Sequence, residues 1–403
     1  MWLKRRMAIH VGALIFATTV VVGFFAFFTH EGYQAWRMDA VIDDVLVERT
    51  QALIDGEPEI DFGTEKEINI LLLGLDARAG YENPHCDAIH LFTLNIEDWT
   101  VHITSVPRGT YAYIPPGNYA DTEYYLANAC AYAGLDYGIA QIEKVVGVKA
   151  DYYVTVGFSQ VLGILRTFEM PTTESLQWLR HRQSYAIGDP QRSHNQAVFM
   201  KDMILNQGSI LGGRLSTPLL YLLYSMVDTN MDFSTMQTLV QGFLAAEIVE
   251  RPEAITLEMK PYFETVDYHL DLENPDAQIE QMLLRVAPYL SKDDLSGKTL
   301  SDVQDELMAY LDAQLELPDG YLVVMEQELW RQVEDEEKRE TYQYQFLEQY
   351  VYATYESDYE SAVDAISLYL MEKQVTEATS WEEKGKGLLA YIVSKHEITS
   401  VIQ

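Results

Sequence analysis

Two aspartates and a scatter of arginines are the residues of this sequence best suited to chemistry. Asp76 follows the apolar run 68–73 across Gly74, and Asp87 stands just before the next run, 88–96. Two carboxylates without a companion His or Cys cluster suit a hard cation such as Mg2+. The same pair also reads as ordinary surface aspartates, the commonest fate of Asp. Arg180 and Arg182 are two apart, so an extended segment would place both on one face, whereas a helix would splay them by about 200°. Paired guanidinium groups match phosphate oxygens bidentately, which lysine cannot do. Arg78, Arg108 and Arg192 are candidates to join them. The opposing reading is salt bridging, since 28 Lys and Arg face 62 Asp and Glu. His85-Cys86-Asp87 hints at zinc but has no further ligands at a suitable spacing. No GxSxG, P-loop, HExxH or GxGxxG stands in a fitting context.

The surrounding pattern predicts the elements that must hold these side chains. Runs 68–73, 88–96 and 101–106 read as strands, the last two joined by a hairpin turn at Glu97-Asp98-Trp99. Helices are expected at 119–134, 139–146 and 158–168, with a strand at 152–156 between the last two. Thr172 or Thr173 can cap a short helix through Trp178. A long helix is expected at 189–206. From 213 to 286 helices dominate, with a strand at 254–259. Strands alternating with helices indicate an α/β layered domain, whose strand-end loops hold a site rigidly.

The chain of 403 residues is long enough for more than one domain, and its net charge of −34 argues against nucleic acid as a partner. Lys4-Arg5-Arg6 precede a charge-free run at 7–28, about 33 Å long as a helix, enough to cross a bilayer core. We read residues 1–6 as a cytoplasmic tail, 7–28 as an uncleaved transmembrane helix and 29–65 as a juxtamembrane helix and spacer. A cleaved signal peptide is the alternative. The bulk of the chain would then be extracytoplasmic, at the cell membrane. A domain at 66–288 is followed by a helical, acidic extension at 289–403. From Ser291 onward that extension holds 25 Asp and Glu against 9 Lys and Arg. Cys86 and Cys130 are the two cysteines, and outside the cell they could pair.

In order along the chain, these features resemble the LytR-CpsA-Psr family. The basic terminus and apolar helix precede Gly74-Leu75-Asp76-Ala77-Arg78, Cys86-Asp87-Ala88 and Ser105-Val106-Pro107-Arg108. Residues 127–132, Arg180-His181-Arg182, Gly188-Asp189 with Arg192 and Gln196, and Thr229-Asn230 follow. The resemblance spans about residues 66–286. It implies a three-layer α/β/α domain with a central mixed sheet. It also implies transfer of a glycopolymer from a polyprenyl-pyrophosphate carrier to peptidoglycan. Asp76 and Asp87 would hold Mg2+. Arg108, Arg180, Arg182 and Gln196 would grip the pyrophosphate, helped by Arg78 and Arg192. Asp189 would orient the arginines or assist proton transfer, and Val161, Leu162 and Leu165 would line a prenyl pocket.

Three positions depart from the family pattern. Gly109 replaces the Asp that usually follows Pro-Arg, Leu126 a Lys, and Asn195 an Arg. The segment between the 152–156 strand and Arg180 is also shorter than usual. These departures leave two rivals open: a non-catalytic polyprenyl or glycan binder that scaffolds envelope assembly, and a hydrolase that passes the pyrophosphate-linked substrate to water.

Overall fold

The computed structural model describes residues 47, 51, 66–76, 84–115, 117, 121–180, 188–212, 216–286 and 299–402. The expected segments 1–6 and 7–28, nearly all of 29–65, and both Arg78 and Arg182 lie outside these residues. Among the described residues no helix is long and apolar enough to cross a membrane.

The first three strands are β1 (Glu67–Asp76), β2 (His85–Asn95) and β3 (Thr100–Ser105). Asn95 Oδ1 accepts the backbone N–H groups of Glu97 and Asp98, both at 2.9 Å, and Trp99 adopts φ 51°. This builds the expected turn between β2 and β3. Helices α1 (Leu126–Ala133) and α2 (Leu135–Val146) come next, then β4 (Tyr152–Val156). Then follow α3 (Phe158–Thr167), α4 (Thr172–Arg180), α5 (Gly188–Gln207), α6 (Ser216–Ser225), β5 (Asp228–Thr229), α7 (Phe233–Ala245), β6 (Ile255–Met259) and α8 (Pro275–Val286).

The sheet order is β5-β4-β1-β2-β3-β6. β1 is parallel to β4 and β3 to β6, while β2 is antiparallel to both β1 and β3. So β1, β3, β4 and β6 all finish at one rim, where β2 begins. One face buries Leu71, Leu73, Ile89 and Leu91 beneath α1 and α2. The other buries Ile68, Leu94, Val101 and Ile103 against Ala197 of α5 and Leu239 of α7. The result is a mixed sheet between two helical layers.

Several expected boundaries differ. β1 runs through Asp76, and Asp87 lies inside β2, so neither aspartate is on a loop. The helix expected over 119–134 is a short 3-10 turn, Asp121–Glu123, and then α1. α2 starts at Leu135 because Gly134, at φ 90°, breaks the chain between the two helices. The short helix expected to stop at Trp178 runs on to Arg180.

Five described helices form the C-terminal part: α9 (Leu300–Leu315), α10 (Gly320–Gln327), α11 (Glu336–Thr354), α12 (Tyr359–Val375) and α13 (Thr379–Ile402). Within it, Lys373 is fully buried and bonds Glu340 at 2.5 Å, Gln343 at 2.7 Å and Glu372 at 3.0 Å. Arg331 meets Glu328 and Glu372, each at 3.0 Å. Burial alone would push the Glu372 carboxyl up, but Arg331 and Lys373 hold it well below the usual range. This part docks on α3 and α4. Arg166 donates to the carbonyls of Arg331 and Val333, Gln332 Nε2 to Ser159 Oγ at 2.9 Å, and Thr173 Oγ1 to Glu334 at 2.7 Å.

Candidate active site

The site begins at a break in strand register. Gly74 pairs with Ala88 but Leu75 pairs with Cys86, so Asp87 is an extra residue on β2. Such a bulge re-aims a side chain at a sheet margin. Gly74 permits it: a Cβ there would stand 2.9 Å from Ala88 Cβ. Beside it a disulfide joins Cys86 to Cys130 of α1, with Cα atoms 6.0 Å apart. Gly138 leaves room for it, since a Cβ at that position would lie 2.3 Å from Cys130 Sγ.

Arg108 follows β3 on a loop pinned to the start of α1, its carbonyl accepting Ala127 N–H at 3.1 Å. Its Nη1 donates to Asp87 Oδ1 at 2.5 Å, and its Nε lies 3.5 Å from Asp189 Oδ1. Asp189, in the first turn of α5, also accepts from Arg192 Nη2 at 2.7 Å and from Gly109 N–H at 3.1 Å. Arg192 Nη2 reaches the Asp87 carbonyl at 3.4 Å. Its Nε–H is buried without a partner among the described residues. Burial pulls the Arg192 pKa down. Asp189 opposes that shift, while Arg108 and Arg180 reinforce it. Asp87 opposes the shift as well, so the two acids hold the Arg108 and Arg192 guanidinium groups side by side, an arrangement that suits an anionic ligand.

Arg180 ends α4 with its guanidinium carbon 5.6 Å from the Phe158 ring centroid. Gln196, one turn beyond Arg192, turns inward. Its Nε2 donates to the Leu179 carbonyl at 3.0 Å and its Oε1 lies 3.2 Å from His90 Nε2. Because the amide oxygen faces His90, the imidazole carries its proton on Nε2. His90, 1% exposed, was not among the expected site residues. A lone His on the otherwise apolar face of β2 was the available signal.

Among the described residues no group of three or more His, Cys, Asp and Glu gathers to hold a metal. A bound Mg2+ would therefore draw on Asp76 and Asp87, at the neighbouring ends of β1 and β2. Two carboxylates with water and substrate phosphate oxygens make an ordinary Mg2+ shell. An Asp carboxylate can accept from Arg108 and still serve a cation.

A cavity of about 450 Å³ lies between the sheet and α5, α6 and α7. Ile70, Phe92, Val154, Met203, Leu223 and Leu239 are among the side chains lining it. The residues expected to form such a pocket do not. Val161 and Leu165 pack with Trp178 and Phe199, and Leu162 is buried in α3. Two of the departures from the family pattern are core residues: Leu126 is fully buried, and Asn195 accepts from Gln191 Nε2 at 2.8 Å.

Residues 39–164 match the LytR_cpsA_psr family. Two relatives are named polyisoprenyl-teichoic acid–peptidoglycan teichoic acid transferase TagU. One, from Bacillus cereus, is 27% identical over 146 residues, covering 36% of this chain and 46% of the relative. The other, from Bacillus cereus strain AH820, is 26% identical over 174 residues, covering 41% and 55%. The chain thus spans about half the length of the curated relatives it matches. Among solved structures, B. subtilis TagV overlays 56% of this chain and 99% of its own, at 16% identity and a TM-score of 0.40. TagT bound to LIIa-WTA overlays 57% and 94%, at 16% identity and a TM-score of 0.36.

Proposed function

We propose that the chain is a membrane-anchored, extracytoplasmic phosphotransferase. It moves a cell-wall glycopolymer from a polyprenyl-pyrophosphate carrier to peptidoglycan, with Mg2+ as cofactor. One observation carries the reading: Arg108 and Arg192 converge with Asp87 and Asp189 at a sheet rim, and the α5 face of the same sheet encloses a large apolar cavity. A pyrophosphate needs the first feature and a polyprenyl chain the second.

Phosphoryl transfer depends on in-line positioning and on neutralising charge over the phosphoryl oxygens. Arg108 and Arg192 are held by the two acids in fixed orientations, which suits that task. Asp189 receives donors from Gly109, Arg108 and Arg192, so it acts as a positioning residue. A Mg2+ at Asp76 and Asp87 would supply further neutralisation at the phosphates. The names of the TagU relatives support the polymer and acceptor classes. The disulfide supports an oxidising compartment, and the 7–28 run supports the anchor.

Full-length protein in liposomes with a lipid-linked glycan precursor and Mg2+ should release polyprenyl phosphate, and chelation should stop it. Arg108→Ala should cut turnover by about 10²–10³. Undiminished turnover in that variant sinks the assignment. A second reading, a non-catalytic polyprenyl or glycan binder, is favoured by the buried Leu126 and Asn195 where the family usually carries cations. It requires lipid binding with no turnover and no response to Mg2+.

A further inference from the structure

The rim that carries Arg108 also carries a row of exposed aromatic rings. Phe158 follows β4, Tyr111 and Tyr113 follow β3, and Tyr262 and Phe263 follow β6. Tyr132, near the end of α1, sets its ring edge-on to His85 at the start of β2, centroids 6.1 Å apart.

Tyr111 and Tyr113 are the most organised of these. They are 70% and 52% exposed, while Ala112 and Ile114 are buried in the core beneath α1 and α2. The segment is pinned on both sides. Tyr111 bridges Tyr125, Ala112 N–H donates to the Tyr124 carbonyl at 3.3 Å, and Tyr137 Oη donates to the Tyr113 carbonyl at 2.9 Å. On an extended backbone alternate side chains share a face about 7 Å apart. Two flat rings are thus held outward by a fixed ladder, although water gains nothing from contact with them. Exposed aromatic surface next to a site marks a ligand groove.

The strip is anchored on the α1 side of the sheet, the cavity lies on the opposite face, and Arg108 precedes Tyr111 by three residues on the same loop. In an in-line transfer the attacking and leaving oxygens sit on opposite sides of phosphorus. If the lipid lies on the α5 side, the nucleophile arrives from the other. The geometry points to Tyr111 and Tyr113 as the stacking subsite of the acceptor, a chain of pyranose rings whose apolar faces rest on the tyrosines. This rests on the transferase reading. The acceptor hydroxyl oxygen bonds to the phosphorus that bears the glycopolymer. The bond from that phosphorus to the bridging oxygen breaks, polyprenyl phosphate leaves with the bonding pair, and the hydroxyl proton passes to solvent.

The test uses the full-length chain and a paired variant, Tyr111→Ala with Tyr113→Ala. The probes are an N-acetylglucosamine tetramer for the acceptor, polyprenyl-pyrophosphate-linked N-acetylglucosamine for the donor sugar, and polyprenyl phosphate for the lipid. The alanine pair should weaken the tetramer by about tenfold or more. Both lipid probes should bind as before. Tyr111→Phe with Tyr113→Phe, which keeps the rings, should bind the tetramer close to wild type. In turnover the alanine pair should raise KM for the acceptor and leave kcat nearly unchanged. Unaltered tetramer binding in the alanine pair overturns the proposal, as does no tetramer binding to wild type. A loss confined to the donor probe also overturns it and assigns the strip to the donor sugar. If Arg108→Ala keeps full turnover while the alanine pair loses the tetramer, the transferase reading fails and the strip stands.

Discussion

His90 shows how burial sets the chemistry of one residue. Its removal from water lowers its pKa, the Gln196 bond opposes this, and the nearby Arg192 charge adds to the fall, which ends at about 4. An unfolded chain would protonate this His near 6.5. Between those values the unfolded state binds the extra proton, so stability is complete above pH 6.5 and declines as pH drops toward 4. The contribution is about 3 kcal/mol when fully expressed. An NMR titration should find this imidazole neutral at pH 5.5, with its proton on Nε2; a midpoint near 6.5 would contradict the account. Residue types at the site were legible in the sequence, but their partners were not. Arg108, Asp87 and Asp189 were candidates by type and by motif order, yet no local pattern said that one guanidinium would meet both acids. Gln196 was expected to face the phosphates. Its amide instead joins α4 to β2, because α5 crosses the sheet at His90.

At the scale of elements, periodicity worked where one face is buried and failed where glycine or register intervened. The alternation at 101–106 gave β3 and its hairpin. The split between α1 and α2 depends on Gly134, and the Asp87 bulge depends on how Gly74 meets Ala88, a contact between strands. Gly74→Ala should therefore destabilise by about 1–3 kcal/mol through overpacking. It should lower activity further by moving Asp87. Gly387→Ala is the contrast: at this exposed position of α13 the Cβ meets nothing within 4 Å. That change should stabilise by about 0.5–1 kcal/mol through helix propensity. Urea unfolding of the two variants measures both, and equal shifts of the same sign would discredit the contact argument.

Across the whole molecule, composition gave a helical acidic extension without revealing what it rests on. Contacts between distant segments leave no local trace, so Arg166 reads as one more surface cation until the Arg331 and Val333 carbonyls appear beside it. The buried ion group inside the extension is its least replaceable part. Lys373→Met leaves Glu340 and Glu372 without their shared cation and should cost about 3–5 kcal/mol. A thermal melt within a degree of wild type would show that the group is incidental.

The docking of the extension reaches back to the cavity. α12 packs on α6, whose Leu223 and Tyr224 line the apolar chamber. Gly163 of α3 lies so close to Arg331 that a Cβ would stand 2.9 Å from its Cδ. A shortened version ending after α8 would strip a supporting wall from α6 and expose a surface shaped to be covered. Such a fragment should express poorly or clump, and size-exclusion chromatography would reveal it. Anyone preparing residues 66 onward for crystals or assays should carry the acidic tail along.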